Sequence, residues 1–317
     1  MYDVTYRDGR WFRTVWNQPH AIFLAELEYR AAKTDTQRTD VLERYANVIA
    51  ASADFMADFA RGGRTGNAVD GYTYELGPPI MNSAEHGDRL QLPAGCGTES
   101  TPCEGWVFNP TYELTYWKYG LHVATQWAER RGKPANAAWA EIYHQLSVAP
   151  TVPSPWNKSQ PLYNLHAACT NLYAGRTLGC AQRSDHPGHL MALGSIPGLQ
   201  HGIDLATMNA TFTATARVWD LEHGYYGTDP HLVAISAARL ERRGDAVHFA
   251  MLDSDENRFS VMGHQLNFAK VSGYLPGNGA MLQAVAAMAA GFSGCNSTTP
   301  GFPLSWGVRH EGLVPLP

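Results

Sequence analysis

Apolar residues recur at intervals of three, four and seven along most of the chain, a period that predicts helices. The first covers 18–32, with Ile22, Phe23, Leu24 and Leu27 on its apolar side and Pro19 near its start. From Asp40 to Phe59 the face is Leu42, Tyr45, Ile49, Met56 and Phe59, and Gly62-Gly63 ends the helix. Asn109 is placed to cap a third helix, with Pro110 at its first position and Glu113 in its first turn. Its face is Leu114, Trp117, Leu121, Ala124 and Ala128. A fourth runs from Asn136 to Leu146, ahead of Pro150, Pro153 and Pro155. Helical spacing returns over 186–193, 205–219, 230–240 and 245–252. It ends with GNGAMLQAVAAMAAGF, whose face is Met281, Leu282, Val285, Met288, Ala289 and Phe292. No alternating strand pattern competes, except that VRHEGLVPL in the tail 296–317 permits one short strand.

The pattern gives about nine helices, joined alternately by short turns and by long stretches rich in Gly, Pro and aromatic residues. Such alternation predicts a ring of helical hairpins whose long loops gather on one rim, where chemistry would collect. The fold class expected is therefore all-α, a toroid of helical hairpins. The longest irregular stretch, Tyr72 to Leu114, contains YTYELGPPIMNSAEHGD and FNPTYEL. Its Gly and Pro residues break helices, yet it carries Tyr, Trp, Ile and Leu instead of a disordered tract's polar bias. It reads as a site loop with Glu85 at its centre, among Gly77, Pro78, Pro79, Asn82, Ser83 and His86.

Composition narrows the function classes. At 44% apolar and 17% charged residues the chain is not of the disordered class, and no apolar run predicts a membrane span. A net charge of -5 with scattered Lys and Arg gives no footprint for nucleic acid. Nine Trp and fifteen Tyr supply core packing and flat platforms for sugar rings. Cys96 and Cys103, then Cys169 and Cys180, form short-spaced pairs inside the longest loops, as local disulfides do in secreted proteins, with Cys295 left over. Four cysteines still allow three connectivities. Sequons at Asn157, Asn209 and Asn296 agree with an extracellular location. The opening MYDVTYRDGRWF has neither the basic start nor the apolar core of a signal peptide. The chain is then expected to be either a piece of a longer secreted protein or cytosolic with reduced cysteines.

The order WNQPHAIFLAELEYR, ADFMADF, ELGPPIMNSAEHGD, DHPGHLMALGSIPG, ISAARLERRGDAVHFAML and GYLPGNGAMLQAVAAMAAG resembles the six-hairpin glycosidases. It is most similar to the fucosidase-like glycoside hydrolases of family 95, collinearly through nearly the whole chain. The resemblance implies an (α/α)6 toroid of twelve helices, usually behind a β-sandwich. With about nine helices, residues 1–317 would form a single partial catalytic domain. It also implies inverting hydrolysis of an O-glycosidic bond in an oligosaccharide or glycoside, without a cofactor, and places Glu85 as the general acid. The family's base, an Asp just before Gly-Asn, is missing from the matching Tyr274-Leu275-Pro276-Gly277-Asn278-Gly279. The paired asparagines that position its water would lie upstream of Met1.

Glycoside hydrolysis needs one protonated carboxyl and one ionised carboxylate, about 6.5–9.5 Å apart when the reaction inverts. Aromatic and aliphatic neighbours would desolvate Glu85 and suit it to the acid role, though it could equally be an ordinary loop residue. For the base, Asp229 in YYGTDP comes first and Glu113 second. Each also has a plain role as a helix N-terminal charge. Asp185 would cap the helix before His186. Trp16, His20, Asn109, His186, His189, Trp219, His264 and Asn278 are candidate sugar contacts. Asn278, between two glycines, also suits a tight turn. His186 and His189 have no HExxH or Cys companion, so no metal is predicted. No GxSxG, P-loop, GxGxxG or Cys-His signature is present. A glycoside phosphorylase of related barrel, with phosphate replacing the water, and a degenerate glycan-binding barrel are the alternatives.

Overall fold

The computed structural model describes residues 14–61, 74–77, 80, 82–83, 107–167, 169, 172–173, 186–221, 226–255, 257–266, 271 and 273–317. Glu85 and Asp185 lie outside them, as do Cys96, Cys103 and Cys180. The described chain is mostly helical, with eight α-helices and four strands of two or three residues. No described helix is long and apolar enough to cross a membrane. The chain divides into two compact units, Met1–Val152 with Asn164–Ala181, and Pro153–Tyr163 with Gln182–Pro317.

The first unit contains α1 (His20–Ala31), α2 (Asp35–Arg61), α3 (Thr111–Arg130) and α4 (Ala137–Gln145). Helix α3 touches the other three and is buried on nearly every side from Thr111 to Leu121. Its indoles are anchored at both ends: Trp117 Nε1 donates to Met56 O (2.9 Å) and Trp127 Nε1 to Leu42 O (3.0 Å). Gly120 permits close approach, since a Cβ there would lie 2.9 Å from Met56 Cε. On α2 the expected Leu42, Ile49 and Met56 are buried, joined by Ala46, Ala53, Ala57 and Ala60, so small residues widen the stripe. Buried Glu26 accepts from Arg30 Nε (2.8 Å) and Arg130 Nη1 (2.6 Å), tying α1 to the end of α3. Asn136 caps α4 as its side chain predicts, accepting the Ala138 N–H at 3.0 Å.

Strand β1 (Thr151–Pro153) carries the boundary between the units, and β2 (Pro161–Tyr163) belongs to the second. There β2 docks on α5 (Leu205–Val218), where the Tyr163 N–H donates to Thr211 Oγ1 at 2.8 Å. Asp204 caps α5 by accepting the Thr207 N–H at 2.7 Å. Helix α6 (Asp229–Arg239) packs against α7 (Arg243–Ala250) and α8 (Leu275–Ala290). Strands β3 (Arg258–Phe259) and β4 (Gln265–Leu266) form an antiparallel hairpin, Phe259 opposite Gln265.

Three expectations are corrected. Residues 186–193 form a 3₁₀ turn, Gly188–Ala192, because Pro187 and Gly194 leave no room for an α-helix. On α8 the buried residues are Gly277, Ala280, Ala284, Ala287, Met288 and Ala289, whereas Leu282 is 73% exposed. A helix apolar on every side has no periodic face to read, and alanines permit the closer packing. VRHEGLVPL forms no strand. The tail makes one bridge, Leu316 with Phe292, and Arg239 Nη2 donates to Pro317 O at 2.8 Å.

Candidate functional site

In the first unit, Glu113 occupies the first turn of α3 and is 1% exposed. Its carboxylate accepts the backbone N–H of Ser83, in the described part of the loop that also carries Glu85. Burial pushes its pKa up to about 7, although hydrogen bonds from Ser83 and from its own N–H oppose the shift. No cation pairs with it among the described residues. A carboxyl so placed exchanges its proton near neutrality and is suited to acid or base work.

An aromatic cluster continues from this point. Burial, and then the negative charge of Glu113, push the Tyr112 phenol up. The Tyr112 and Tyr116 rings lie 5.4 Å apart, and the Tyr116 hydroxyl is hydrogen-bonded to His20 Nδ1 at 2.8 Å. Burial raises Tyr116 and lowers His20, so both are neutral at pH 7. Trp16 meets the His20 ring edge-on at 5.9 Å, and its buried Nε1 has no hydrogen-bond partner among the described residues. A buried donor of this kind is satisfied when a ligand oxygen reaches it. Trp16, His20 and Glu113 are thus candidates that one unit holds. The periodicity missed Tyr116 and Lys118. The signal available was Tyr112, Tyr116 and Tyr119 at i, i+4 and i+7, with Lys118 between aromatic residues in the same run. Lys118 is 8% exposed and burial lowers its pKa to about 8.

Asn109 departs from its predicted capping role. Pro110 occupies the cap position, while Asn109 has a left-handed backbone (φ 48°), which an Asn tolerates. Its Oδ1 accepts the Leu76 N–H at 2.8 Å and its Nδ2 donates to Glu75 Oε1 at 3.3 Å, leaving the amide engaged within the fold. Asn109→Ala is expected to cost about 3 kcal/mol, from a strained φ and a buried N–H left unpaired at Leu76. Urea midpoints of the two proteins measure it.

In the second unit, Asp229 opens α6 and is 1% exposed. Both of its oxygens are engaged: Oδ1 accepts from His186 Nδ1 (2.7 Å) and the Thr228 hydroxyl (3.4 Å), Oδ2 from the Tyr226 N–H (3.3 Å). His186 stacks on Tyr226 with centroids 4.5 Å apart. Sequence placed His186 at the start of one predicted helix and Asp229 in the turn before another; the fold makes them a pair. His189 lies in the core, fully buried, bonded to Thr215 Oγ1 at 2.9 Å and lowered to about pKa 3 by burial. Its ring is 5.5 Å from that of Trp219, which lines a cleft beside α5. His264 is exposed in the turn of the β3–β4 hairpin. Asn278 holds that hairpin to α8, accepting the Gln265 N–H (3.0 Å) and donating to Gly263 O (2.7 Å). In this chain the Gly-Asn-Gly segment packs against the β3–β4 hairpin. Burial lowers His231 to about pKa 4.

Cys169 is disulfide-bonded, its partner lying outside the described residues, and Cys295 is a free thiol. Among the described residues no three His, Cys, Asp or Glu side chains gather to hold a metal. No protein-family model matches the chain, and neither does any curated protein.

Proposed function

We propose that this chain is a glycoside hydrolase of the (α/α)6-toroid kind and that Glu113 is its general base. The observation that carries the reading is a buried carboxyl held near pKa 7 against Ser83, two residues before Glu85. Above pH 7 Glu113 is ionised and takes a proton from water as the oxygen attacks the anomeric carbon. Glu85, the acid implied by the family resemblance, gives its proton to the leaving oxygen, so that the bond breaks without net change of charge. The Trp16 N–H, buried and without a partner among the described residues, would serve a sugar hydroxyl that reached it, and the half-buried Trp16 and His20 rings would border that hydroxyl. The disulfide at Cys169 supports the extracellular location.

A second reading is phosphorolysis, in which phosphate replaces the water and no base is needed; the absence of the family's Asp before Gly277-Asn278 keeps it in view. Release of sugar from natural oligosaccharides and aryl glycosides, with and without phosphate, separates the two. Hydrolysis requires phosphate-independent release with inverted product anomer, read by NMR. Release only with phosphate replaces the hydrolase by a phosphorylase. Trp16→Phe, which keeps the ring and deletes the donor, is expected to raise KM roughly fivefold to tenfold with little change in kcat, the loss of about one hydrogen bond.

A further inference from the structure

An open cleft of about 420 Å³ lies in the unit that contains α5 and α7. Its floor is apolar, formed by Trp219 and Phe249, which are only 4% and 6% exposed. Its walls are polar. Asp220 and His248 are exposed, and Arg242 and Asp245 are half-buried. Arg242 is held in place: Nε donates to Asp245 Oδ2 (2.6 Å), Nη1 to Thr213 Oγ1 (2.8 Å) and Asn209 Oδ1 (3.2 Å). Its guanidinium lies 4.5 Å from the centre of the Phe212 ring. Asp245 and His248, three apart on α7, project from one face of that helix.

The charges decide the class of ligand. A phosphate or other anion would meet Asp220 and Asp245 beside the single guanidinium, and an organic cation would meet Arg242. No metal-ligating group of three forms among the described residues. A neutral polyol has neither problem. Its hydroxyls can donate to the two carboxylates and accept from the guanidinium or imidazole, while its C–H groups meet only the narrow strip of Trp219 and Phe249 that stays exposed. The volume is at the small end of small-molecule clefts, about 300–1,000 Å³, and suits one or two sugar rings. We infer that this cleft binds a neutral sugar, at a site that neither contains Glu113 nor depends on turnover.

The sugar could be a free monosaccharide or the end of a glycan, and both present the same ring. The test is calorimetric titration of the full chain with neutral hexoses and 6-deoxyhexoses, free and within short oligosaccharides. Wild type is compared with Asp220→Ala and His248→Ala, two exposed positions, with circular dichroism to check that each variant keeps its helices. Saturable binding is expected, weakened roughly tenfold by each variant with the helix content and any turnover of small aryl glycosides unchanged. Tighter binding of the monosaccharide identifies a free sugar, and tighter binding of the oligosaccharide a glycan end. Absence of saturable binding by every sugar overturns the inference, as does binding that both variants leave unchanged. Inorganic phosphate or a simple alkylamine competing at equal affinity would overturn the neutral-sugar class.

Discussion

Glu113→Gln is expected to end turnover and, above pH 7, to make the protein more stable. Burial raises the Glu113 carboxyl from 4.5 to about 7, so the folded state holds this proton more tightly than the unfolded chain does. The resulting stabilisation is complete below pH 4.5, declines as pH rises, and is lost once pH passes 7. It corresponds to about 3 kcal/mol across that window. Gln is neutral at every pH and its carbonyl can still accept the Ser83 N–H, so the variant escapes this decline. Denaturant midpoints at pH 5 and pH 8 should therefore diverge in favour of the variant, and the gap should stop growing above pH 7. Turnover moves the other way, because a base must be ionised: wild-type kcat/KM should rise with pH through about 7 and fall again where Glu85 loses the proton it must donate. A variant that keeps wild-type turnover while gaining stability would leave Glu113 a buried structural acid and remove it from the mechanism. The two measurements separate a functional carboxyl from a merely buried one, since burial alone produces only the first effect.

What could be read from sequence follows from how each segment meets its neighbours. Helices α2 and α5 have a wet side and a dry side, so their period of three and four residues located both, and on α2 it also found part of the buried face, Leu42, Ile49 and Met56. Helix α3 was located by the same rule, but its burial on almost every side was not, and that burial is what raises Glu113. A pKa depends on what covers a residue, which periodicity along one helix does not contain. The Asp229–His186 pair joins residues 43 apart and became visible only in the fold. Asn109 shows the converse. Its residue type suited a cap, yet the side chain was drawn instead to the Leu76 N–H across the loop. Glycines around 277 suggested a functional motif because their spacing resembles one, while the atoms they admit belong to Gln265.

Gly277→Ala tests that last point through its sign. Gly277 lies in the first turn of α8, where Ala is ordinarily the better helix former by about 1 kcal/mol. Here a methyl at Gly277 would overlap Gln265 Oε1, and one at Gly227 would come within 2.5 Å of the same atom, so the amide is clamped between two glycines. Gln265 is fully buried; its Nε2 donates to Gly227 O and to Asn257 Oδ1, the latter at 2.6 Å. Its main-chain carbonyl accepts the Tyr274 N–H at 2.8 Å, which limits retreat of the strand. Accommodating the methyl therefore means breaking one or both hydrogen bonds of the Gln265 amide in the interior, and Gly277→Ala should destabilise by about 3 kcal/mol where a free helix start would gain. Gly227 stands two residues before Asp229, so displacement of Gln265 should also shift the ring resonances of His186. Gln265→Ala, which removes the obstructing amide, should recover much of the loss when combined with Gly277→Ala, giving strong coupling in a double-mutant cycle. A neutral or stabilising Gly277→Ala, or additive single and double variants, would show that the amide is not clamped and would return the Gly-Asn-Gly segment to consideration as a site.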